Sequence, residues 1–344
     1  MPRRLAHDDL GPLARGYSLL GSGGGGPTTM VELLLRDPGH WPIDVADLDE
    51  LDPATPCLGA AFVGATMLLA EKLVPADPFG PLVAAIERWL GHPVPAVCSI
   101  EGGGINGLTP LLMAGRTIVD ADCTGRAVPG LDQMSLFVDR VPGLVFASDT
   151  GAGGVTLVQS DRAADVEHVV RSAIIQAGGA GCAVLGGFTV GDLREHAIAG
   201  HLGRALDLGR AFRDARTAPL PDLAEALGGR LLVDGRITSV APLEADPFVN
   251  AVEVAGARGE VHRVVCRSET LAVVTDGEVQ ASAPSVLVAL DAVSRDVLEV
   301  TDLTLARTIA VIELPASPWW AARAERFARV APSAYGLAGL DVAA

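Results

Sequence analysis

In the first half of this chain short apolar runs alternate with helical stretches, and between residues 229 and 314 the apolar period shifts towards two. Apolar residues three and four apart line one face of a helix, whereas apolar residues two apart line one face of a strand. A sequence that changes from one regime to the other must build two differently organised layers. Residues 28–37 (TTMVELLLRD), 81–90 and 107–116 (GLTPLLMAGR) read as helices, and residues 93–100 (PVPAVCSI), 117–122 (TIVDAD), 143–149 and 154–160 as strands. This β-α-β-α rhythm predicts an α/β domain with a largely parallel sheet. Residues 58–74 (LGAAFVGATMLLAEKLV) read as a buried helix, because Glu71 and Lys72 break the run too early for a membrane span.

Residues 161–179 form a further helical stretch that stops at a glycine pair, and a short apolar run leads from there into another helix or helix pair. Asp234-Gly235 and Asp276-Gly277 have the chemistry of hairpin turns. The expected organisation is an N-terminal α/β domain, residues 1–163, and a C-terminal α+β domain, residues 164–344. The second has helices in 164–227, a β-rich module in 228–314 and a closing segment that packs back through Trp319-Trp320.

The net charge of −16 opposes nonspecific nucleic-acid binding, which needs a basic footprint. Lys72 is the only lysine and sits in an ordinary helical pattern, so a Schiff-base mechanism is set aside. The five cysteines are widely spaced without a CxxC pair, which disfavours a disulfide framework and a structural zinc site. Arg3 and Arg4 are not followed by an apolar core, so no signal peptide is visible and a cytoplasmic location is expected.

Two glycine-rich segments carry the functional signal. Residues 21–26 (GSGGGG) place five glycines in six positions. They satisfy the dinucleotide pattern GxGxxG, yet Pro27 follows at once and no acid stands convincingly about 20 residues on. No GKS/T is present, which excludes a P-loop. The open readings are a loop whose amides at Gly23, Gly24, Gly25 and Gly26 line a ligand site, a purely structural turn, and a nucleotide loop. The second segment, residues 101–135, begins EGGGING and continues into VDADCTGRAVPGLDQMS. It puts Glu101 and Asn106 in a turn with Gly103 and Gly104, and Asp120 and Asp122 on one face at a strand end, followed by Cys123, Arg126 and Gln133.

These blocks, with LGSGGGGP near the start and APSAYGLAGLD near the end, resemble the DUF917 family, which includes S-methyl thiohydantoin desulfurases and often occurs beside hydantoinase-type enzymes. The resemblance implies a two-domain α/β hydrolase that removes sulfur from thiohydantoin-like or hydantoin-like rings. The alternative is a non-catalytic small-molecule binding module or an accessory subunit of a hydantoinase-type enzyme. The chain departs from the family's pattern in its second half. Ser285 stands in APSVLVALD where the family has an acid, RSETLAV keeps only Glu269 of an Asn-Glu-Asn type segment, and His201 in GHLGRA stands where a hydroxyl is usual.

Replacing ring C=S or C–SCH3 by C=O needs a base for water, donors for the developing negative charge, and an acid or metal for the sulfur. Asp122 is the first candidate base, with Asp120 or Glu101 as alternatives. The glycine amides are candidate oxyanion donors, and Asn106, Arg126 and Gln133 are candidate substrate contacts. Cys123 is a candidate nucleophile, with a small buried core residue as the competing reading. Arg126 has a competing role as structural partner of one of the acids, and Asp120 and Asp122 as caps of the following turn. A divalent metal, if used, would draw on Glu101, Asp120, Asp122 and His201. His196 and His201 are five apart, which is not the spacing that puts two ligands on one helical face. The expected partners are a small cyclic amide or thioamide and either a second copy of the chain or a hydantoinase-type enzyme, with no nucleic acid and no membrane.

Overall fold

A computed structural model describes residues 2–71, 77–113, 115–244 and 246–342. Lys72 lies outside the described residues. The first sheet runs β1 (Arg3–Leu5), β2 (Ile43–Ala46), β3 (Pro56–Gly64), β4 (Ala96–Ser99), β5 (Thr117–Asp122), β6 (Val145–Asp149), β7 (Val155–Gln159), β8 (Ala180–Thr189) and β9 (Ile198–Ala199). Its spatial order is β1-β2-β5-β4-β3-β8-β6-β7, with β9 paired to β5. Parallel pairing is confined to the central β2-β5-β4-β3 group, and the flanking strands pair antiparallel. The parallel strands β4 and β5 are buried on both faces apart from Thr117, as a parallel sheet covered by helices requires, even though β5 carries Asp120 and Asp122. The sheet draws β8 and β9 from beyond residue 163.

Residues 58–74 do not form a single helix. Their first part is strand β3, which is paired on both sides by β4 and β8, and among the described residues of the run only Thr66–Ala70 turns helical. An unbroken apolar run is the signature of a two-sided strand as much as of a buried helix, and small residues such as Gly59 and Ala60 suit the strand. Residues 107–113 likewise lie in a tighter 3-10 helix, Gly104–Met113, with Pro110 inside it.

The second sheet contains β10 (Arg230–Leu243), β11 (Asp246–Gly256), β12 (Val261–Cys266), β13 (Thr270–Thr275), β14 (Glu278–Ser282), β15 (Val286–Asp291) and β16 (Thr308–Leu314). Its order is β14-β13-β12-β11-β10-β16-β15, antiparallel throughout, and it curves into a half-barrel. Asp276-Gly277 makes the β13–β14 turn, with both residues at positive φ. Asp234-Gly235 does not turn. Gly235 lies inside β10 and pairs with both β11 and β16; a Cβ there would come within 2.3 Å of the Ala255 carbonyl. The glycine therefore serves close strand approach.

Helices Leu10–Leu20 and His201–Ala215 cover one face of the first sheet, and their apolar residues merge into a core that reaches β15 and β16. Helix Ala163–Gln176 packs a second core on the opposite face. The C-terminal segment returns to the first domain, where Trp320 is fully buried and donates from Nε1 to the Thr124 carbonyl at 2.7 Å. Among the described residues no helix is long and apolar enough to cross a membrane.

Candidate active site

The loop of residues 21–26 follows a helix, Leu10–Leu20, and not a strand. This removes the βαβ setting that the dinucleotide reading requires. Ser22, Gly23, Gly25 and Gly26 have positive φ, so the backbone folds into a tight crossing point. A Cβ at Gly24 would meet Glu269 Cγ at 2.7 Å, and one at Gly25 would meet the Gly103 carbonyl oxygen at 2.8 Å. The loop thus lies between the second glycine segment and the half-barrel. Ser22 ties it to the latter: its carbonyl accepts from Thr270 N at 2.8 Å, and its hydroxyl exchanges hydrogen bonds with both backbone groups of Leu287 at 3.0 Å. The Gly23 carbonyl accepts from Val300 N at 2.8 Å.

Where these segments meet they enclose a cavity of about 420 Å³. Its floor is formed by the ends of β3 and β4 (Gly64, Ile100, Glu101) and by Thr124 beyond β5, the carboxyl ends of the parallel strands, where α/β sheets place ligands. Gly23, Gly24 and Gly25 form one side, with Asn106 beside them. The half-barrel contributes Arg267, Ser268 and Glu269 from the β12–β13 turn, and Glu299, Val300 and Thr301 from the segment after β15. The site therefore requires both halves of the chain.

Three carboxyl groups face this space. Glu101 is held from both oxygens: Val128 N donates to Oε1 at 2.9 Å and Asn106 Nδ2 to Oε2 at 2.7 Å. Asn106 is itself fixed by the backbone of Phe62 on β3. Burial raises the Glu101 carboxyl to about 7 against these two donors. Glu269 is only 2% exposed, and its Oε2 is buried with no hydrogen-bond partner. Burial raises it to about 8, Arg126 opposes the rise, and the charge of Glu101 adds to it. Burial and the nearby Asp302 raise Glu299 to about 7, while the Gly26 amide works against them.

Asp120 and Asp122 do share one face of β5, but they do not line the cavity. Asp120 accepts from the amides of Leu202 (2.7 Å) and Gly203 (3.2 Å), at the start of helix His201–Ala215. Asp122 is 1% exposed; its Oδ1 accepts from Thr124 N and Gly125 N, and its Oδ2 faces His201 Nδ1 at 3.5 Å. His201, equally buried, donates from Nε2 to the Gly102 carbonyl at 2.7 Å. A Cβ at Gly102 would overlap both side chains, so residues 101–104 stand between this pair and the cavity. Glu101, Asp120, Asp122 and His201 do not converge: among the described residues no group of three or more His, Cys, Asp or Glu is placed to hold a metal. His196 is turned instead to Asp139, at 2.9 Å.

The remaining residues separate by environment. Arg126 is buried and directs its guanidinium at the carbonyls of Ala127, Ser285 and Thr270, so it joins the two domains and does not line the cavity. Gly26, Gly103 and Gly104 shape the loop crossing behind the wall, and a Cβ on Gly104 would lie 2.3 Å from the Gly25 carbonyl carbon. Gln133 lines a neighbouring groove and bonds the Arg329 carbonyl and Tyr335. Cys123 is fully buried in the apolar core; its contact with Cys98 and its burial push the thiol well above the ordinary range. All five cysteines are buried. Native protein is accordingly expected to resist a thiol-reactive dye for hours, with all five groups reacting on denaturation; fast labelling of Cys123 in the native state would restore it as a nucleophile.

Glu269, Glu299 and Arg267 come from the β-rich half. The one signal for them in the sequence was Glu269, the acid that RSETLAV keeps.

Family models described as S-Me-THD-like, N-terminal domain, and S-Me-THD-like, C-terminal domain, match residues 8–160 and 160–343 respectively. A crystal structure of a protein from Chromobacterium violaceum has the same fold: the TM-score is 0.79 at 24% identity, covering 99% of each chain. No curated protein matches the chain.

Proposed function

The chain belongs to the S-Me-THD-like family over nearly its whole length, and from that premise we propose that it hydrolyses S-methyl thiohydantoin-like rings with loss of the sulfur group. The observation that carries this reading is the facing of Glu101 and Glu269 across one cavity, with carboxyl groups raised to about 7 and about 8. Their settings differ: Glu101 accepts from Val128 N and Asn106 Nδ2, which suits the base, whereas Glu269 has an oxygen without a hydrogen-bond partner, which suits the acid. Glu101 loses its proton first and takes one from water as the water oxygen attacks the ring carbon bearing sulfur. The C–O bond forms, and negative charge moves onto the ring nitrogen on the side of the cavity lined by Gly23, Gly24 and Gly25. Glu269, still protonated, gives its proton to sulfur as the C–S bond breaks. Collapse to C=O, with the hydroxyl proton of the adduct passing to the ring nitrogen, leaves the hydantoin and one equivalent of methanethiol, and the proton that Glu101 took from water returns through solvent to Glu269.

The cavity suits this size of ligand, within the ordinary range for small-molecule sites. The test is release of thiol from a panel of S-methyl thiohydantoins, with and without divalent metal. The pH profile of kcat/KM is expected to be a narrow bell with limbs near 7 and 8. Glu101→Gln is expected to remove the rising limb along with most of the rate. A folded protein that releases no thiol across the panel, or a Glu101→Gln variant of unchanged rate, would overturn the reading.

A further inference from the structure

Behind the cavity lie two buried polar side chains that take no part in the chemistry above, Asp122 and His201, each 1% exposed. Asp122 Oδ2 and His201 Nδ1 face each other at 3.5 Å, and neither atom has a hydrogen-bond partner. Their neighbours fix where the protons lie. His201 Nε2 is 2.7 Å from the Gly102 carbonyl oxygen, which can only accept, so Nε2 carries a hydrogen. A neutral ring would then turn the lone pair of Nδ1 towards a carboxylate oxygen, two acceptors shut away from water. Asp122 Oδ1 accepts from Thr124 N and Gly125 N, the setting of an ionised carboxylate. The proton that the contact needs therefore belongs on Nδ1, and the two groups form an imidazolium–carboxylate pair.

This pair grips one residue from both sides. His201 holds the Gly102 carbonyl. Gly102 N donates to the Thr124 hydroxyl at 3.0 Å, and that hydroxyl donates to Asp122 Oδ1 at 3.3 Å. Both peptide groups of Gly102 thus lead back to one carboxylate. The fit leaves no slack: a Cβ on Gly102 would lie 2.3 Å from His201 Nε2 and 2.6 Å from Asp122 Oδ2. Glu101 precedes this residue, and its own backbone is pinned by the Ser99 hydroxyl.

We infer that Asp122 and His201 are positioning residues for Glu101: with Thr124 they fix the Gly102 peptide groups and so keep the neighbouring carboxyl aimed at the ring. This rests on Glu101 as the base proposed above. Around the pair lie Asp120 on β5, Tyr17 on helix Leu10–Leu20, Arg204 on the same helix as His201, and the thiols of Cys98 and Cys123. Around Glu101 lie Arg126, Glu269 and Glu299. Burial raises the Glu101 carboxyl, and the charge of Asp122 adds to the rise.

The test combines nitrogen NMR of the histidine-labelled full chain at pH 7 with the kinetics of thiol release from an S-methyl thiohydantoin. The ring signals lost in His201→Gln identify His201, and both its nitrogens are expected to be protonated in the unsubstituted protein. In Asp122→Asn the side-chain amide donates to Nδ1, so the ring is expected to become neutral, with hydrogen on Nε2 alone. The grip on Gly102 survives, so kcat is expected to stay within about threefold. The rising limb of the kcat/KM profile moves to lower pH, because a negative charge has gone from beside Glu101. His201→Leu removes the grip, and kcat is expected to fall by about 10- to 100-fold with KM little changed. His201→Gln, whose amide reaches the same carbonyl, is expected to restore most of the rate. Should His201→Leu not fold, Asp122→Asn and the NMR signature decide. A neutral His201 ring in the unsubstituted protein, an unmoved rising limb in Asp122→Asn, or an unchanged rate in His201→Leu would sink the positioning role and leave the ring reading standing. A doubly protonated His201 with no thiol released would sink the ring chemistry, and Glu101 as its base, and leave the charged grip on Gly102.

Discussion

Glu269→Gln is expected to lower the rate of thiol release by about two to four orders of magnitude and, at the same time, to make the protein more stable at pH 8. The two effects have one cause. Glu269 holds its proton because it is enclosed by protein, with one oxygen lacking any partner. A glutamine of the same shape cannot protonate sulfur, so the loss falls on kcat. The stability effect follows from proton linkage. An unfolded glutamate ionises at its ordinary 4.5, whereas the folded one keeps its proton to about 8. Between these values the native state binds more protons than the unfolded state, so stability falls as pH rises through the window and levels off above it. Glutamine removes that share of the slope. The gain at pH 8 is on the order of a few kcal/mol, read as a higher melting temperature. Melting curves of the two proteins should approach each other at pH 5. A variant that is both slow and less stable at pH 8 would mark Glu269 as a packing residue and not an acid.

Gly16→Ala is expected to destabilise the protein by about 3 kcal/mol or more, against the usual direction for glycine in a helix, where alanine stabilises by roughly 0.5–1 kcal/mol. The reason lies in the crossing of helices Leu10–Leu20 and His201–Ala215. A Cβ at Gly16 would sit 1.7 Å from the Ala205 carbonyl oxygen, and one at Gly209 would sit 1.6 Å from that of Pro12. The helices touch backbone to backbone and have no side chain there to yield. Gly11, in the same helix, has nothing within 4 Å of its would-be Cβ, so Gly11→Ala is the control and should be neutral or stabilising. Chemical denaturation of the two variants decides the matter; equal behaviour would refute the close crossing. A shift of helix His201–Ala215 would also disturb His201, whose Nε2 holds the Gly102 carbonyl next to Glu101, so activity should fall with stability in Gly16→Ala.

The sequence and the structure agree most where pattern alone decides the outcome. TIVDAD is strand β5 from end to end, and the period-two region became an antiparallel sheet. The reading of residues 58–74 as a helix failed because a strand buried on both faces has no polar alternation to reveal it. Asp234-Gly235 misled because a glycine that admits a neighbouring strand looks the same in sequence as one that turns the chain. Gly23 to Gly25, Glu101 and Asn106, which line the cavity, drew notice in the sequence because they sit in one short segment or beside a helix start. The pairing of Glu101 with Glu269 was not, since it depends on how the half-barrel docks. Asp120 and Asp122 drew notice as paired acids at a strand end, yet both are largely occupied by backbone amides. Nothing in the residue types distinguishes an acid that caps a helix from one that faces a ligand.

The serine among the glycines has a wider consequence. Ser22 supplies, from the first half of the chain, the missing rung between Thr270 of β13 and Leu287 of β15. A C-terminal half severed at residue 160 would lose the partners of β8 and β9 and leave a gap in its own sheet at Thr270 and Leu287, with amides and carbonyls turned to water. Glu269, adjacent to Thr270, would lose the enclosure that keeps it protonated. The acid strength of that one group is thus a gauge of whether the two halves are joined, and the proposed chemistry depends on their staying so.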